Sequence, residues 1–427
     1  MNEIKLITLN PGHFHAALVQ KEMYPDVSRQ AAVYGPLGPD LLEHLGRVVR
    51  FNVREESPTA WELDVRCSPR YLDRMLADRP GNVVVIAGRN RAKIDLIHAS
   101  VQAGFHVLAD KPWIIETADL PKLEETLETA ERKGLAAYDI MTERYEITSI
   151  VQRALVNDDA VFGEMVEGSE DAPAVLMESV HHLMKTVAGV PLRRPPWFFD
   201  IREQGEGLTD VGPHLVDLVQ WVLFPEQAID HRIGVRVLNG RRWPTVLSLE
   251  EYQRVTGERR FPDVPEASGA KIEYFCNNSV LYRLRGVHVK LTAVWNYEAP
   301  PGAGDTHCAL FRGTKARVEI RQGAEEGYRP ELYVVPEQPG EAVGSALRSR
   351  VDSLASEYAG IALEHQGARY HIVVPEVHRV GHEAHFAQVA RQFFRFVRGE
   401  GGLPACEKPN MLTKYFVTTQ GVALSRL

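Results

Sequence analysis

The sequence contains few cysteines, and their spacing shows no paired motif. Its 427 residues include four, Cys67, Cys276, Cys308 and Cys406, which lie far apart and form no CxxC pair. This pattern excludes a zinc knuckle and a disulfide framework, and it is typical of a protein from a reducing compartment.

An excess of positive charge is also missing. The chain has 49 Lys and Arg residues against 57 Asp and Glu, which leaves a net charge of −8, and no basic run. Because non-specific nucleic-acid binding depends on a Lys/Arg surface that neutralises phosphates, the composition argues against a nucleic-acid partner. With 44% hydrophobic and 25% charged residues, it is that of an ordinary soluble globular protein.

No long apolar run opens the chain. The first ten residues, MNEIKLITLN, carry one lysine and only a short apolar stretch before the turn at residues 10–12. This stretch is too short for a secretory signal or a membrane span, so we expect a cytoplasmic protein with no membrane partner.

The length and the pattern of apolar residues predict two domains. Over residues 1–148, short apolar runs such as VVVIA at 83–87 alternate with stretches at helical spacing, which is typical of βαβ units around a parallel sheet. From residue 149 to 427 the sequence becomes rich in strands that alternate polar and apolar residues, as in 287–293. We therefore expect an α/β protein whose second, α+β domain holds a large, mostly antiparallel sheet with one covered face.

The first predicted strand runs into Asn10-Pro11-Gly12-His13-Phe14-His15, where a dinucleotide-binding fold places its phosphate turn. Against the motif GxGxxG the turn reads NxGxxH, so only one glycine remains. By itself this turn is also compatible with a strand that enters a helix and binds no ligand.

The acidic residue expected about 20 positions later for the ribose hydroxyls is missing, and Asp40 is a distant substitute. NAD and NADP are therefore not distinguished, with NAD favoured.

The segment from 83 to 113 predicts a site at the carboxyl ends of two neighbouring strands. Asn90 follows the strand at 83–87, and Asp110-Lys111-Pro112 follows the next strand. In an open α/β sheet ligands bind at these ends, where Lys111 could hold a substrate hydroxyl and relay its proton. The alternative is a lysine that only pairs with a carboxylate.

A second constellation, GEGLTDVGPHLVD, spans 205–217. Asp210 and His214 are four residues apart at the predicted start of a helix, so both side chains can face the same way. An aspartate that orients a histidine gives a general acid/base for proton exchange with a hydroxyl. The alternative is a helix cap at Asp210 and a packed histidine at 214.

The order of these motifs, with AGxHVLxxKP at 103–112 followed by GxGxxDxGxHxxD at 205–217, resembles the Gfo/Idh/MocA family of glucose-fructose oxidoreductase and inositol dehydrogenase relatives. The resemblance implies a Rossmann-like domain over 1–148 and a substrate-binding α+β domain over 149–427. It also implies a homodimer or homotetramer that forms through the carboxyl-terminal sheet.

Carried over residue by residue, the resemblance makes Lys111, Asp210 and His214 the catalytic residues beside a nicotinamide. It also implies nine residues that bind the cofactor, which are Asn10, Gly12, His13, Phe14, His15, Asn90, Asp110, Lys111 and Pro112. Besides Asn10 and His15 in the turn, four positions depart from the family pattern: Asp110 replaces a glutamate, Lys93 replaces a histidine and Gly88-Arg89 replaces Thr-Pro.

Polar residues before the glycine pair are candidates for the substrate site, together with the three catalytic residues. His181, His182 and Lys185 could bind sugar hydroxyls, and Trp197 could supply an aromatic face. Arg144 is a further candidate. Structural packing of an irregular stretch explains these residues equally well.

His378, His382 and His385 follow the i, i+4, i+7 spacing of one helix face, which could present imidazoles to a metal. No matching cysteine or acidic site accompanies them, so we predict an amphipathic helix and no metal.

Together these observations predict an NAD(P)-dependent oxidoreductase that transfers a hydride from a hydroxyl-bearing carbon of a carbohydrate or polyol. One alternative is a glycoside hydrolase or lyase that keeps NAD bound, with oxidation, elimination and re-reduction and no net redox change. The other is a non-catalytic sugar or nucleotide sensor with the same fold.

Overall fold

The computed structural model describes residues 3–187 and 190–427. The chain divides into two compact units. The amino-terminal unit comprises Met1–Thr142 and Gly381–Lys408, and the carboxyl-terminal unit comprises Glu143–Val380 and Pro409–Leu427. The sequence had predicted a single boundary after residue 148, whereas the chain returns to the first unit near its end.

The amino-terminal unit is built on a six-stranded parallel sheet in the order β3-β2-β1-β4-β5-β6. All residues of the central strands β1 and β4 are buried, which explains their continuous apolar sequences. Its strands are β1 (Leu6–Leu9), β2 (Gln30–Gly35), β3 (Glu62–Cys67), β4 (Val83–Ile86), β5 (His106–Ala109) and β6 (Ala137–Asp139). The connecting helices are α1 (His15–Leu18), α2 (Pro39–Val53), α3 (Tyr71–Asp78), α4 (Lys93–Gln102) and α5 (Leu120–Arg132). This confirms the Rossmann-like parallel sheet.

The carboxyl-terminal unit contains a ten-stranded sheet in which only β7 and β13 pair in parallel among the described strands. Its strands are β7 (Val175–Met184), β10 (Val235–Ser248), β11 (Ala267–Ser268), β12 (Lys271–Leu284), β13 (Val287–Glu298), β14 (Thr306–Arg312), β15 (Ala316–Arg321), β16 (Glu331–Pro336), β17 (Ala362–Gln366) and β18 (Arg369–Val373). A separate pair is formed by β8 (Thr186–Val187) and β9 (Val190–Pro191). Burial alternates along β13, so one face is covered, and the prediction of a large, mostly antiparallel sheet is confirmed.

Helices cover this face of the sheet. They are α6 (Ile147–Val156), α7 (Ile201–Gln204), α8 (Gly207–Asp210), α9 (Gly212–Leu223), α10 (His231–Gly234), α11 (Leu249–Thr256) and α12 (Glu341–Leu354). The core beneath α6 and α9 is aliphatic, with Val151, Val216, Leu291 and Val318 fully buried. Two helices complete the chain, α13 (His382–Val397) and α14 (Glu407–Ser425).

Helix α13 belongs to the amino-terminal unit. Its apolar face is buried at Phe386, Val389 and Phe393, and Phe394 packs edge-on against Tyr24 of the same unit. Charged groups add to this attachment, since Arg391 pairs with Glu22. Burial of this aromatic face explains why the chain returns to the first unit.

No helix among the described residues combines the length and the apolar character that a membrane span requires.

Candidate functional site

The turn after β1 is held against the turn after β4. Asn10 has a left-handed backbone, with φ 48°, and the N–H groups of Gly12 and His13 both donate to the carbonyl oxygen of Ala87, at 2.9 and 3.1 Å. These bonds fix the path of the chain into α1. Asparagine tolerates the left-handed region better than most residues, which explains why it can replace glycine at position 10.

Gly88, in the turn after β4, compensates for part of the GxGxxG motif that the turn after β1 lacks. A Cβ on Gly88 would lie 2.7 Å from the carbonyl oxygen of Asn10 and 3.2 Å from the nitrogen of Gly12. The two turns therefore approach so closely that position 88 must be glycine. From the sequence, Gly88 was noted only because it stands where the family has Thr-Pro, and its structural role was missed.

Asp40 lies beside this turn. It is in the first turn of α2, and its Oδ2 would be 3.5 Å from a Cβ on Gly12. The guanidinium of Arg89 is 4.0 Å from the same oxygen. Although distant in sequence from the expected position, Asp40 thus places a carboxylate beside Gly12 of the phosphate turn.

Asp110 follows β5 and faces two histidines of the first turn. Its Oδ2 is 2.8 Å from Nδ1 of His15 and 3.5 Å from Nδ1 of His13. Burial alone would raise the pKa of Asp110, but His15, His13 and the positive charge of Lys93 hold that pKa well below its usual range. Burial lowers the pKa of His15. Nδ1 of His15 and the carboxylate of Asp110 thus form a buried hydrogen-bonded pair.

Lys93 supports the backbone that carries Lys111. Its ammonium group is fully buried and donates to Oδ1 of Asn90 at 2.7 Å and to the carbonyl oxygens of Asp110 and Lys111, at 3.2 and 3.3 Å. Removing the side chain would leave these buried acceptors without a donor. Lys93 therefore fixes the start of the segment Lys111-Pro112, a role that the sequence did not reveal.

The nine residues expected to bind a cofactor all belong to the amino-terminal unit. They come from three turns, at the carboxyl ends of β1, β4 and β5, which are adjacent strands in the sheet. The fold thus brings together the segments that the sequence had grouped by resemblance alone.

The glycine pair at 205 and 207 positions α8 against the sheet of the carboxyl-terminal unit. Gly205 has a positive φ of 85°, and a Cβ on Gly207 would come within 1.9 Å of the carbonyl oxygen of Cys276. Between them, Glu206 is buried and accepts hydrogen bonds from Arg242, Arg426 and Asn278.

The sequence had predicted that Asp210 and His214 share one helix, but they lie on two successive helices. Asp210 ends α8, and His214 is in the first turn of α9. Val211 separates the helices and its N–H donates to the carbonyl of Gly207. Asp210 is buried, whereas His214 is partly exposed.

Arg144 anchors α9. Its Nε and Nη2 donate to the two carboxylate oxygens of Asp217, both at 2.7 Å, and Nζ of Lys414 is 3.1 Å from Oδ1. Burial works against ionisation, but the two cations keep the pKa of Asp217 well below its usual range. This bidentate pair holds the helix that carries His214, so the structure gives Arg144 a positioning contact.

Three predicted substrate residues converge on one carboxylate that the sequence analysis missed. Asp305 accepts a hydrogen bond from the backbone N–H of His182 at 3.1 Å, and its Oδ2 is 3.2 Å from Nδ1 of His181 and 2.5 Å from Nζ of Lys185. Burial would raise the pKa of Asp305, but hydrogen bonds from the two histidines and the charge of Lys185 lower it far below the ordinary value.

An aromatic cluster lies next to this carboxylate. The imidazole of His181 stacks on Trp295 with ring centroids 4.8 Å apart, and the buried guanidinium of Arg194 lies 4.8 Å from the centroid of Phe198 and 5.1 Å from that of Trp295. Trp197 is half-buried against the same cluster. The predicted combination of polar groups and an aromatic face is thus present within one unit.

The three histidines near the end of the chain do not share a helix face. His378 ends a short turn of the carboxyl-terminal unit and its Nε2 is 2.9 Å from the carbonyl oxygen of Ala359. His382 and His385 begin α13 of the other unit. The helix starts at 382 and not before 378, so the predicted spacing does not apply.

Residues 151–426 match the family described as "Putative oxidoreductase C terminal domain". A crystal structure of a "putative oxidoreductase" from Parabacteroides merdae ATCC 43184 is 45% identical, with a TM-score of 0.96 over 99% of this chain and 98% of that one.

Two more distant structures share the fold. Levoglucosan dehydrogenase in complex with NADH and levoglucosan is 12% identical, with a TM-score of 0.61 over 100% and 98% of the two chains. The 3-ketoreductase KijD10 from Actinomadura kijaniata, in complex with TDP-benzene and NADP, is 15% identical, with a TM-score of 0.57 over 98% and 96%. No curated protein matches the sequence.

Proposed function

The chain belongs to the oxidoreductase family that this carboxyl-terminal domain defines, with the fold of the Gfo/Idh/MocA oxidoreductases, and from that membership we propose that it is an NAD(P)-dependent dehydrogenase. Its proposed substrate is a sugar, glycoside or polyol that presents a secondary hydroxyl. Dehydrogenases and reductases of the same fold bind NADH or NADP.

The observation that carries the proposal is the position of Lys111. It follows β5 in a segment whose backbone is fixed by the buried ammonium of Lys93. The carboxyl end of a central parallel strand is where open α/β sheets bind ligands. A rigid backbone at this point supports a lysine that must meet a substrate oxygen reproducibly.

The residues of the phosphate turn fit a dinucleotide. The close approach of Gly12 and Gly88 leaves no room for side chains between the turns, and Asn10 supplies the left-handed backbone. Asn10, Gly12, His13, Phe14 and His15 would hold the pyrophosphate.

At the neighbouring turns, Asn90, Asp110 and Pro112 would seat the nicotinamide half. When bound, the nicotinamide supplies the hydride acceptor.

The protein's own residues would move the proton. His214 accepts the hydroxyl proton of the reacting carbon, and Asp210 orients the imidazole and binds a neighbouring hydroxyl. Lys111 donates to the same oxygen and stabilises negative charge as the carbonyl forms. Asp210 and His214 come from α8 and α9, whose positions are fixed by Gly207 and by the Arg144 pair.

The substrate hydroxyls would be bound by His181, His182 and Lys185, with Trp197 against a face of the ring. Asp305 holds all three polar side chains in place. Pre-positioned donors of this kind lose little side-chain entropy when a polyhydroxylated ligand binds.

We propose NAD as the preferred cofactor, because Asp40 lies beside the phosphate turn. A carboxylate there accepts hydrogen bonds from the ribose hydroxyls and repels a 2′-phosphate. Arg89 is close to the same carboxylate, so Asp40→Ser should increase the relative use of NADP.

The experiment begins with native mass spectrometry of the gently purified chain, to identify any bound nucleotide. A panel of sugars, glycosides and polyols is then assayed for reduction of that nucleotide. The proposal predicts net formation of reduced nicotinamide with at least one compound. It is contradicted if the chain binds no nicotinamide nucleotide, or if a glycoside is cleaved with no net nucleotide reduction.

A further inference from the structure

One group of side chains in the amino-terminal unit has the composition of a metal site. His13, His15 and Asp110 each offer one ligand atom, and the three atoms lie within 4.8 Å of one another. The two histidines come from the turn after β1, and the carboxylate comes from the end of β5. Three donors from the ends of β1 and β5, the two strands that flank β4, thus lie close together.

The donor set matches the preferences of first-row transition metals. Two imidazoles and one carboxylate form the ligand set of many catalytic zinc sites and of the facial triad that holds iron(II), and both leave positions open for a further ligand. Calcium and magnesium prefer sites made of oxygen atoms, so this group is a poor site for either ion.

The distances are close to those that a bound ion requires. Ligand atoms about 2.1 Å from an ion lie roughly 3.4 Å apart in a tetrahedral site. Asp110 Oδ2 is 3.5 Å from His13 Nδ1, which is close to that separation, and 2.8 Å from His15 Nδ1, a hydrogen-bond distance that would lengthen around an ion. The separation of the two histidine ligand atoms is at most 4.8 Å, and the side chain of His13, which is 25% exposed, would move to bind an ion.

Burial and charge also suit a cation. Asp110 offers a carboxylate to a cation, and its side chain and that of His15 are both buried. Lys93 opposes binding because its positive charge lies near Asp110. Its ammonium group, however, donates to backbone carbonyls, and the carboxylate of Asp110 faces the histidines.

We propose that His13, His15 and Asp110 bind one divalent first-row transition metal ion, with open coordination positions on the exposed side of His13. The sequence had predicted no metal on the basis of the spacing of its cysteines and of the histidines between 378 and 385, and this group was not considered. The proposal does not rest on the proposed dehydrogenase activity, although the three residues are also among those proposed to hold the nucleotide. Its test therefore measures metal binding in the absence of nucleotide and sugar.

The test uses the full chain, stripped with a chelator and then titrated with Zn²⁺ by calorimetry. Co²⁺ is used in parallel as a visible spectroscopic probe, and Mn²⁺ and Fe²⁺ are titrated to establish selectivity. We expect one Zn²⁺ per chain and cobalt d–d bands typical of a low coordination number. His13→Ala should weaken binding by roughly 10-fold to 100-fold or more, and Asp110→Asn should have a similar effect.

His98→Ala is the matched control, because His98 lies in the same unit and contacts Thr126 instead of this group. It should bind Zn²⁺ as the wild type does. If His15→Gln fails to fold, the partly exposed His13 still provides the decisive variant, and thermal melting verifies its fold. No stoichiometric binding, or equal affinity in the wild type and His13→Ala, would show that the three residues form a hydrogen-bonded group only.

Discussion

At the scale of single residues, the proposed chemistry depends most on the ammonium group of Lys111. Lys111→Ala should lower kcat by roughly 100-fold or more, because the developing charge on the substrate oxygen loses its donor. Nucleotide affinity should change little. Steady-state kinetics and a nucleotide titration measure both quantities, and Lys122→Ala, which removes an exposed lysine paired with Asp95, is the control. Wild-type turnover of Lys111→Ala would exclude this lysine from the mechanism.

Asp305 gives a prediction for the dependence of stability on pH. Its pKa is lowered in the folded state, whereas that of an unfolded aspartate is about 3.9. The ionised carboxylate therefore stabilises the fold above that pH, and the contribution is lost progressively as the pH falls below it. Asp305→Asn should lower the free energy of unfolding by about 2 kcal/mol near neutral pH.

This difference between the wild type and Asp305→Asn should shrink at about pH 3.5. Urea unfolding followed by tryptophan fluorescence measures it at both pH values. An equal difference at the two values would contradict the assigned role of the carboxylate.

Sequence reasoning located residues whose position follows from a strand end, and it missed their long-range partners. Lys111 could be placed because a glycine-bounded strand ends just before it. Asp305 is separated by 124 residues from His181, and nothing in the local sequence links the two. Lys93 was noticed only because it stands where the family has a histidine. Its contacts with two carbonyl groups arise from the tertiary fold, so the local sequence does not reveal them.

At the scale of elements, close backbone packing determines where α8 lies. Gly207→Ala should destabilise the chain by about 2 kcal/mol or more, because its Cβ would meet the backbone of Cys276 and not a movable side chain. Activity should fall as well, since α8 carries Asp210. Gly46→Ala is a control of opposite sign, because Gly46 lies inside α2 in open space, where alanine stabilises a helix by about 0.5–1 kcal/mol. Thermal melting compares the two, and equal effects would contradict the packing argument.

The ion pair under α9 provides a second prediction at this scale. Asp217→Asn would leave Arg144 and Lys414 without their buried counter-charge, so the free energy of unfolding should fall by about 3–5 kcal/mol. Asp95→Asn removes an exposed carboxylate and should have little effect. Denaturant titration of both variants is the measurement. A small loss in Asp217→Asn would mean that this pair does not hold α9.

Element types followed from local patterns, whereas the division into units did not. The run VVVIA at 83–87 contains β4, and the chain after it forms α4, in keeping with the predicted alternation of strands and helices. Helix α13 has an ordinary amphipathic pattern, and only its contacts with residues such as Tyr24 assign it to the first unit. The full length of strand β10 could not be predicted either. Gly240 and Pro244 are local signals for a break, but the strand continues through both residues with two register shifts.

At the scale of the whole molecule, the proposed reaction needs residues from both units. The residues proposed to bind the nucleotide, and Lys111, belong to the amino-terminal unit. Asp210, His214 and the residues around Asp305 that are proposed to bind the sugar belong to the carboxyl-terminal unit. Neither unit contains the full set of proposed groups.

The most direct test of this central claim is a kinetic double-mutant cycle of Lys111→Ala and His214→Ala, with a sugar that the wild type oxidises. If both side chains act on the same substrate oxygen in one step, the double variant should lose about as much kcat as the more damaged single variant. Fully multiplicative losses, or a single variant with wild-type kcat, would contradict the account.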